Sequence, residues 1–369
     1  MSVAAVGDIM MHAAVKRTAR EAGGPNDGFD SLWTEVAPVL TAFDLAFGNL
    51  ETPVAPDVAI PVQGEVFDAP AAVPPSLAAA GWDVLSFANN HGYDQGVQGV
   101  RSTVDAIAAT GMYAVGAGGT REQAYGPVIV ERNGIRFAFL ARADLMNLDP
   151  EPVATAPTIA IAGPRCKVDC GPDRDAISYR VDVDEIAGQV RIARESGADL
   201  VILSMHWGIE YQTTPLPYQV PLAERLTDAG VDVILGHHPH VLQPVITRRT
   251  ADGRTALIAY SLGNFVSDMA SKWDPATGSV GRANMRDGVI LTFNVVKDAS
   301  GTRFESVRAL PTWTENNALT RGDGPTRIRP VLIDQARIGA DPATIRLLDA
   351  RRANIDAVIG AGYTGVRNE

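Results

Sequence analysis

No apolar run in this chain of 369 residues approaches the roughly eighteen residues of a membrane-spanning helix, so no such helix is expected. Basic residues are also in the minority: 32 lysines and arginines face 43 aspartates and glutamates, leaving a net charge of −11. That balance lacks the basic footprint which phosphate backbones demand, so nucleic acid is excluded as a partner. The same field opposes long-range attraction of a polyanion, although a local pair of cations can overrule it. An apolar strand begins almost at the amino terminus and leaves no room for a signal peptide. The expected location is therefore the cytoplasm, unless the chain has been trimmed. Cysteine is scarce. Cys166 and Cys170, in GPRCKVDCGP, are able to close a small disulfide, hold a metal, or stand as plain loop thiols. Two sulfurs without adjacent histidines make a poor zinc site.

What is present reads as one large α/β domain with insertions. Short Val/Ile/Leu/Ala-rich runs ending in Gly, Asn or Asp recur along the chain: VAAVGD, DLAFGN, VLSFAN, MYAVGAG, PVIVER, IRFAFLA, LVILSMHW, VDVILG and ALIAYSLGN. These are buried-strand signals. Helical stretches fall at roughly 12–22, 30–42, 72–80, 97–110, 182–196 and 218–229. In the fourth, Val97, Val100, Val104 and Ile107 recur at amphipathic spacing. Such alternation argues for a mainly parallel sheet. Two hairpin-like pairs break it, one around Asn133-Gly134 and one over 287–310, so the sheet is mixed or there are two stacked sheets. Residues 144–178 read as a long insertion loop of the kind that forms lids, and 268–286, with Trp273, as a second rim loop. The division expected is a domain over 1–320 and a helical extension over 321–369, packed on the outside of that domain.

There are only six histidines, and each follows an apolar run. The segments are VAAVGDIMMH (3–12), VLSFANNHGYDQG (84–96), LVILSMHWGIE (200–210) and VDVILGHHPH (231–240); DLAFGNLET (44–52) has the same shape but ends on an acid, Glu51. Imidazole and carboxylate are ligands for first-row divalent cations, and open α/β sheets bind ligands beyond the carboxyl ends of their strands. Taken alone, Asp8 reads better as a helix N-cap, and a single buried His206 as a hydrogen-bonded core residue. Asn90 beside His91 is stronger, because it joins an amide oxygen to a proton donor, with Asp94 spaced to orient the ring. Three imidazoles in four positions at His237, His238 and His240 are costly to bury unless something uses them. With His238 and His240 as the ligand pair, His237 is expected to point away.

The motifs GDIMMH, FGNLETP, FANNHGYDQGVQGVRSTVDAIAATGMYAVGAG, HWGIEYQTTPLPYQVPLAERLTDAGVDVILGHHPHVLQP and YSLGNF together resemble the CapA family over about residues 3 to 310. This is the capsule and poly-γ-glutamate synthesis group, whose domain is similar to a calcineurin-like metallophosphoesterase. The resemblance implies a four-layer αββα sandwich with mixed sheets. It also implies one or two divalent cations (Mn, Zn, Fe or Mg) on Asp8, Glu51, Asn90, His206, His238 and His240, with His91 as the catalytic histidine and Asp94 behind it. Asn49, Glu210, Asn264 and His12 are placed as substrate contacts. This sequence departs from the superfamily pattern twice. Met10 stands where the first motif carries histidine, and Glu51 stands near where the bridging aspartate is expected. The activity expected is hydrolysis by an activated water, on an amide or γ-glutamyl-type bond of a small or oligomeric substrate. Phosphoester hydrolysis and a non-catalytic role in polymer synthesis are the alternatives.

Overall fold

The computed structural model describes residues 1–58, 64, 66–148, 157–164, 177–299, 301–360 and 362–363. Four of the apolar runs form parallel strands in one sheet: β1 (Ser2–Ile9), β2 (Leu45–Leu50), β3 (Val84–Ser86) and β4 (Tyr113–Val115). The next six build a second sheet: β5 (Val128–Arg132), β6 (Ile135–Ala143), β7 (Leu200–His206), β8 (Val233–His237), β9 (Val245–Arg249) and β10 (Thr255–Ala259). Its order is β9-β10-β8-β7-β6-β5, with four parallel strands inside and an antiparallel strand at each edge. The chain then returns to the first sheet through β11 (Asn264–Val266), β12 (Asp287–Asp298), β13 (Gly301–Asn316) and β14 (Ile328–Leu332). That sheet runs β14-β13-β12-β1-β2-β3-β4, with β11 alongside the carboxyl end of β1.

Strand alternation sends side chains to both faces, and both faces are covered. Val3, Ala5 and Phe47 of the first sheet meet Phe137, Phe139, Ile202 and Leu235 of the second in one buried cluster. Phe47 and Phe139 stack across that interface with centroids 5.9 Å apart. The intervening residues Ala4 and Val6 face outward onto Val15, Leu32, Leu77 and Ile107 from helices. Leu140, Val201, Leu203 and Ile234 likewise pack on Ile186, Val190, Leu222 and Leu226. The result is the four-layer αββα sandwich with mixed sheets. Each Leu, Ile, Val or Phe so buried contributes about 1.5–3 kcal/mol relative to exposure.

Two glycines let the sheets close. A Cβ on Gly236 would lie 1.9 Å from the Tyr260 carbonyl oxygen, and one on Gly7 would lie 1.9 Å from that of Gly263. The Asn133-Gly134 turn between β5 and β6 has φ of 51° and 76°, the paired left-handed residues of a tight hairpin.

Three expectations are corrected. The run ALIAYSLGN is not one strand: β10 and β11 belong to different sheets, and between them Gly263 (φ 65°) forms a bridge to Gly288. The helix expected over 30–42 is divided into a 3-10 segment, Asn26–Trp33, and a short helix, Ala37–Leu40. Pro38 lacks the N–H that a continuous helix would need and sits in the first turn of the new one. The tail is not purely helical, since β14 pairs with β13 before the helix Pro342–Ile359. Pro330 disguised that strand, and its edge position makes the proline tolerable.

Parts of the 144–178 insertion pair with other segments: Leu145–Met146 with Ile177–Ser178, and Thr158–Ile159 with Ala117–Gly118. Cys166 and Cys170 lie outside the described residues. In the segment 268–286, Trp273 is buried against Trp313, edge to face at 6.0 Å. Among the described residues, no helix is long and apolar enough to cross a membrane.

Candidate metal centre

Register places the polar residues. Asp8 aligns with Asn49 on β2 and with Asn264 on β11, while Asn49 aligns with Ser86 on β3. In the other sheet His206 aligns with His237 and Ala143. The parallel strands of both sheets therefore end at a common row, which brings residues 230 positions apart into contact. The backbone N–H of His238 lies 3.3 Å from Asp8 Oδ2 and donates to it.

Asp8 and Glu51, both buried, form the acidic part of the cluster. Asp8 Oδ1 accepts from Asn49 Nδ2 at 2.8 Å, and Asp8 Oδ2 lies 3.3 Å from His240 Nδ1. Glu51 Oε1 is 3.4 Å from His206 Nε2 and 3.7 Å from His240 Nε2, yet neither Glu51 oxygen makes a hydrogen bond. His206 Nε2 meets Asn90 Oδ1 at 2.8 Å. The imidazoles of His206 and His238 are 4.9 Å apart, and those of His238 and His240 5.8 Å. Donor atoms of Glu51, His238 and His240 lie within 4.8 Å of one another, as do those of Asp8, Glu51 and His206. Glu51 is common to both groups.

Burial shapes the charges. Desolvation opposes the ionised form of Asp8, but contacts with His237 and His240 outweigh it and hold the carboxyl well below its ordinary range. Glu51 is pushed well above its ordinary value by burial and then by the Asp8 charge. Burial lowers His206, helped by His238, and lowers His238 to about 3. For His240, burial also works against the cation, but Asp8 reverses the sign and raises its pKa.

A divalent cation fits this donor set. Both oxygens of Glu51, Nδ1 of His206 and both ring nitrogens of His238 are buried without a hydrogen-bond partner. Leaving such atoms unpaired costs about 1–3 kcal/mol each, and neutral imidazole beside carboxylate is the pairing that divalent cations take. His238 and His240 also hold left-handed backbone, with φ of 94° and 55°, on either side of Pro239. Strain of that kind in non-glycine residues collects at functional sites. His240 further has the dual pattern of a metal-ligating histidine: Nδ1 is bound by Asn264 Oδ1 at 3.0 Å, and Nε2 is turned toward Glu51.

Among the remaining residues, His91 lies beside the cluster, with Nδ1 2.8 Å from Asp94 Oδ2 and its ring 4.4 Å from that of Phe67. Glu210 is about a third exposed, 3.9 Å from His240 Nε2. His12 is in edge contact with Phe67 at 5.1 Å, and burial lowers its pKa to about 3. Asn49 and Asn264 are both buried. Asn49 is engaged with Asp8, while Asn264 uses its amide on His240, Met269 and Met285.

His237 does not point away: its Nδ1 is 3.2 Å from Asp8 Oδ1, and its ring is fully buried. Sequence reasoning also missed Asn89, whose Nδ2 donates to Leu50 O at 2.9 Å, and Asn147, which reaches Asn90. Adjacency in Asn89-Asn90-His91 was a usable signal for the first; nothing local marks Asn147.

Residues 2–269 match the family described as bacterial capsule synthesis protein PGA_cap. The chain belongs to this family. It is 30% identical to the PGA biosynthesis protein CapA of Bacillus subtilis, over 83% of this chain and 70% of that one. Identity to the capsule biosynthesis protein CapA of Bacillus anthracis is 32%, over 73% of this chain and 60% of the relative. A probable polyglutamine synthesis accessory protein of Mycobacterium tuberculosis is 30% identical, over 76% and 69%.

Proposed function

We propose that this chain is a divalent-metal-dependent hydrolase acting on an amide or γ-glutamyl-type bond. The observation that carries the reading is the buried cluster of Glu51, His206 and His238 donors left without partners, beside the His91–Asp94 pair. Asp8, Glu51, Asn90, His206, His238 and His240 would hold one or two cations. Such a cation supplies Lewis acidity, which polarises a carbonyl or phosphoryl oxygen and acidifies water.

The chain's own groups supply the rest. Asp94 fixes the proton on Nδ1 of His91, which leaves Nε2 as the nitrogen that exchanges protons with a substrate. In amide hydrolysis the oxygen of water bonds to the acyl carbon, the carbon–nitrogen bond breaks, and a proton must reach the departing amine. The proton lost by the attacking water passes to His91 Nε2 and from there to the departing amine. Glu210, about a third exposed and 3.9 Å from His240 Nε2, would contact the substrate.

The relatives named for PGA and capsule biosynthesis support an amide substrate. The mixed nitrogen and oxygen donors suit phosphoester hydrolysis as well, which is the second reading. The accessory label of the mycobacterial relative supports a third, a metal-bearing but non-catalytic partner in polymer synthesis. Assays of the metal-loaded protein on γ-glutamyl amides and on p-nitrophenyl phosphates separate the three. Amide turnover is expected. Phosphatase turnover alone moves the assignment to the second reading, and metal binding with neither activity moves it to the third.

A further inference from the structure

Asn147 follows the short strand Leu145–Met146, at the entry to the insertion, yet it touches the tip that carries Asn90 and His91. Its backbone N–H donates to Asn90 O at 3.2 Å, which fixes the two segments side by side. Its side-chain Oδ1 accepts from Asn90 Nδ2, also at 3.2 Å. A third approach, Asn147 Nδ2 to His91 Nδ1 at 3.5 Å, is a packing contact, because the Nδ1 proton is already committed to Asp94 at 2.8 Å.

These contacts matter because an asparagine amide has two chemically opposite ends. Its oxygen can accept a hydrogen bond or bind a cation, whereas its NH₂ can only donate hydrogen bonds. Asn90 Oδ1 points at His206 Nε2, 2.8 Å away, in the wall of the buried cluster. The Asn90 side chain is itself almost fully buried, so solvent does not choose its orientation. We infer that Asn147 is a positioning residue: by accepting from Asn90 Nδ2 it keeps the Asn90 oxygen, rather than its nitrogen, turned toward the cation cluster. A flipped Asn90 would aim NH₂ at His206 and at the cation. This inference rests on the reading of Asn90 as a cation ligand. It also makes the entry to the insertion a support of the metal centre.

The test is a double-mutant cycle read by Mn²⁺ and Zn²⁺ titration of the chelator-treated full chain, with thermal melting as the check on folding. The four proteins are wild type, Asn147→Leu, Asn90→Ala and the double variant. Outer contacts of this kind alter metal affinity by about 10–100-fold. Asn147→Leu is expected to weaken binding by about tenfold at the low end of that range, and to have no further effect once Asn90 is alanine. Wild-type affinity in Asn147→Leu overturns the inference, as does an equal loss in both backgrounds, since the residue would then act independently of Asn90. Should Asn147→Leu fail to fold, Asn147→Ser takes its place in the same cycle. A wild type that binds no cation, or an Asn90→Ala variant that binds as tightly as wild type, instead removes the underlying ligand reading.

Discussion

His91 Nδ1 lies 2.8 Å from Asp94 Oδ2, and both side chains are buried beside the cluster of Asp8, Glu51 and histidines. Asp94 Oδ2 is held in turn by the backbone N–H of Phe67 at 2.7 Å. The carboxylate therefore orients the ring and sets its tautomer. Asp94→Asn presents NH₂ in its place and favours the wrong tautomer. Turnover should fall by about 10²–10⁴-fold, with bound metal unchanged by elemental analysis. His91→Ala should behave alike; loss of metal in that variant would make His91 a ligand and its assigned role wrong.

Filling the cluster should stabilise the fold. A cation that binds only the native chain adds about 2.7 kcal/mol at a hundredfold excess over Kd. Chelation should lower the melting temperature, and Mn²⁺ or Zn²⁺ should restore it. His238→Ala removes an imidazole whose two nitrogens have no other partner, so its melting temperature should respond little to either treatment.

Glu51 gives a pH signature in the cation-free protein. Burial and the Asp8 charge raise its folded pKa above the ordinary 4.5. Its contribution is complete below the unfolded value and is lost as pH rises through the folded one. Chelated Glu51→Gln should therefore gain stability relative to wild type as pH is raised from 4.5 toward 8, measured by urea unfolding. A difference that shrinks or stays flat over that window contradicts the assignment of Glu51 as a buried, uncompensated acid.

The sheet contact at Gly236 is sensitive to a single methyl group. A Cβ there would meet the Tyr260 carbonyl at 1.9 Å, and both groups are backbone, so neither can rotate away. Gly236→Ala should cost about 1–3 kcal/mol or more, seen as a lower urea midpoint, and it should also displace His237 and His238.

Much of this architecture was legible because it is local. The apolar runs, the Asn133-Gly134 turn and the helix Gly96–Ala108 each carry their own periodicity or turn chemistry. The strand-tip residues Asp8, Glu51, His206 and His240 were legible for a related reason: parallel strands that end in one row must present their tips together. Long-range packing was not legible. The side chain of His237 is set by its contact with Asp8, 229 positions away, and Phe67 is fixed against His91 from a segment with no motif. The division of ALIAYSLGN between two sheets depends on the left-handed backbone at Gly263, which composition does not announce.

Anomalous diffraction from crystals grown with Mn²⁺ tests the central claim most directly. A peak is expected among Glu51, His206, His238 and His240. Crystals equilibrated with Mn²⁺ that show no anomalous signal within that cluster would contradict it.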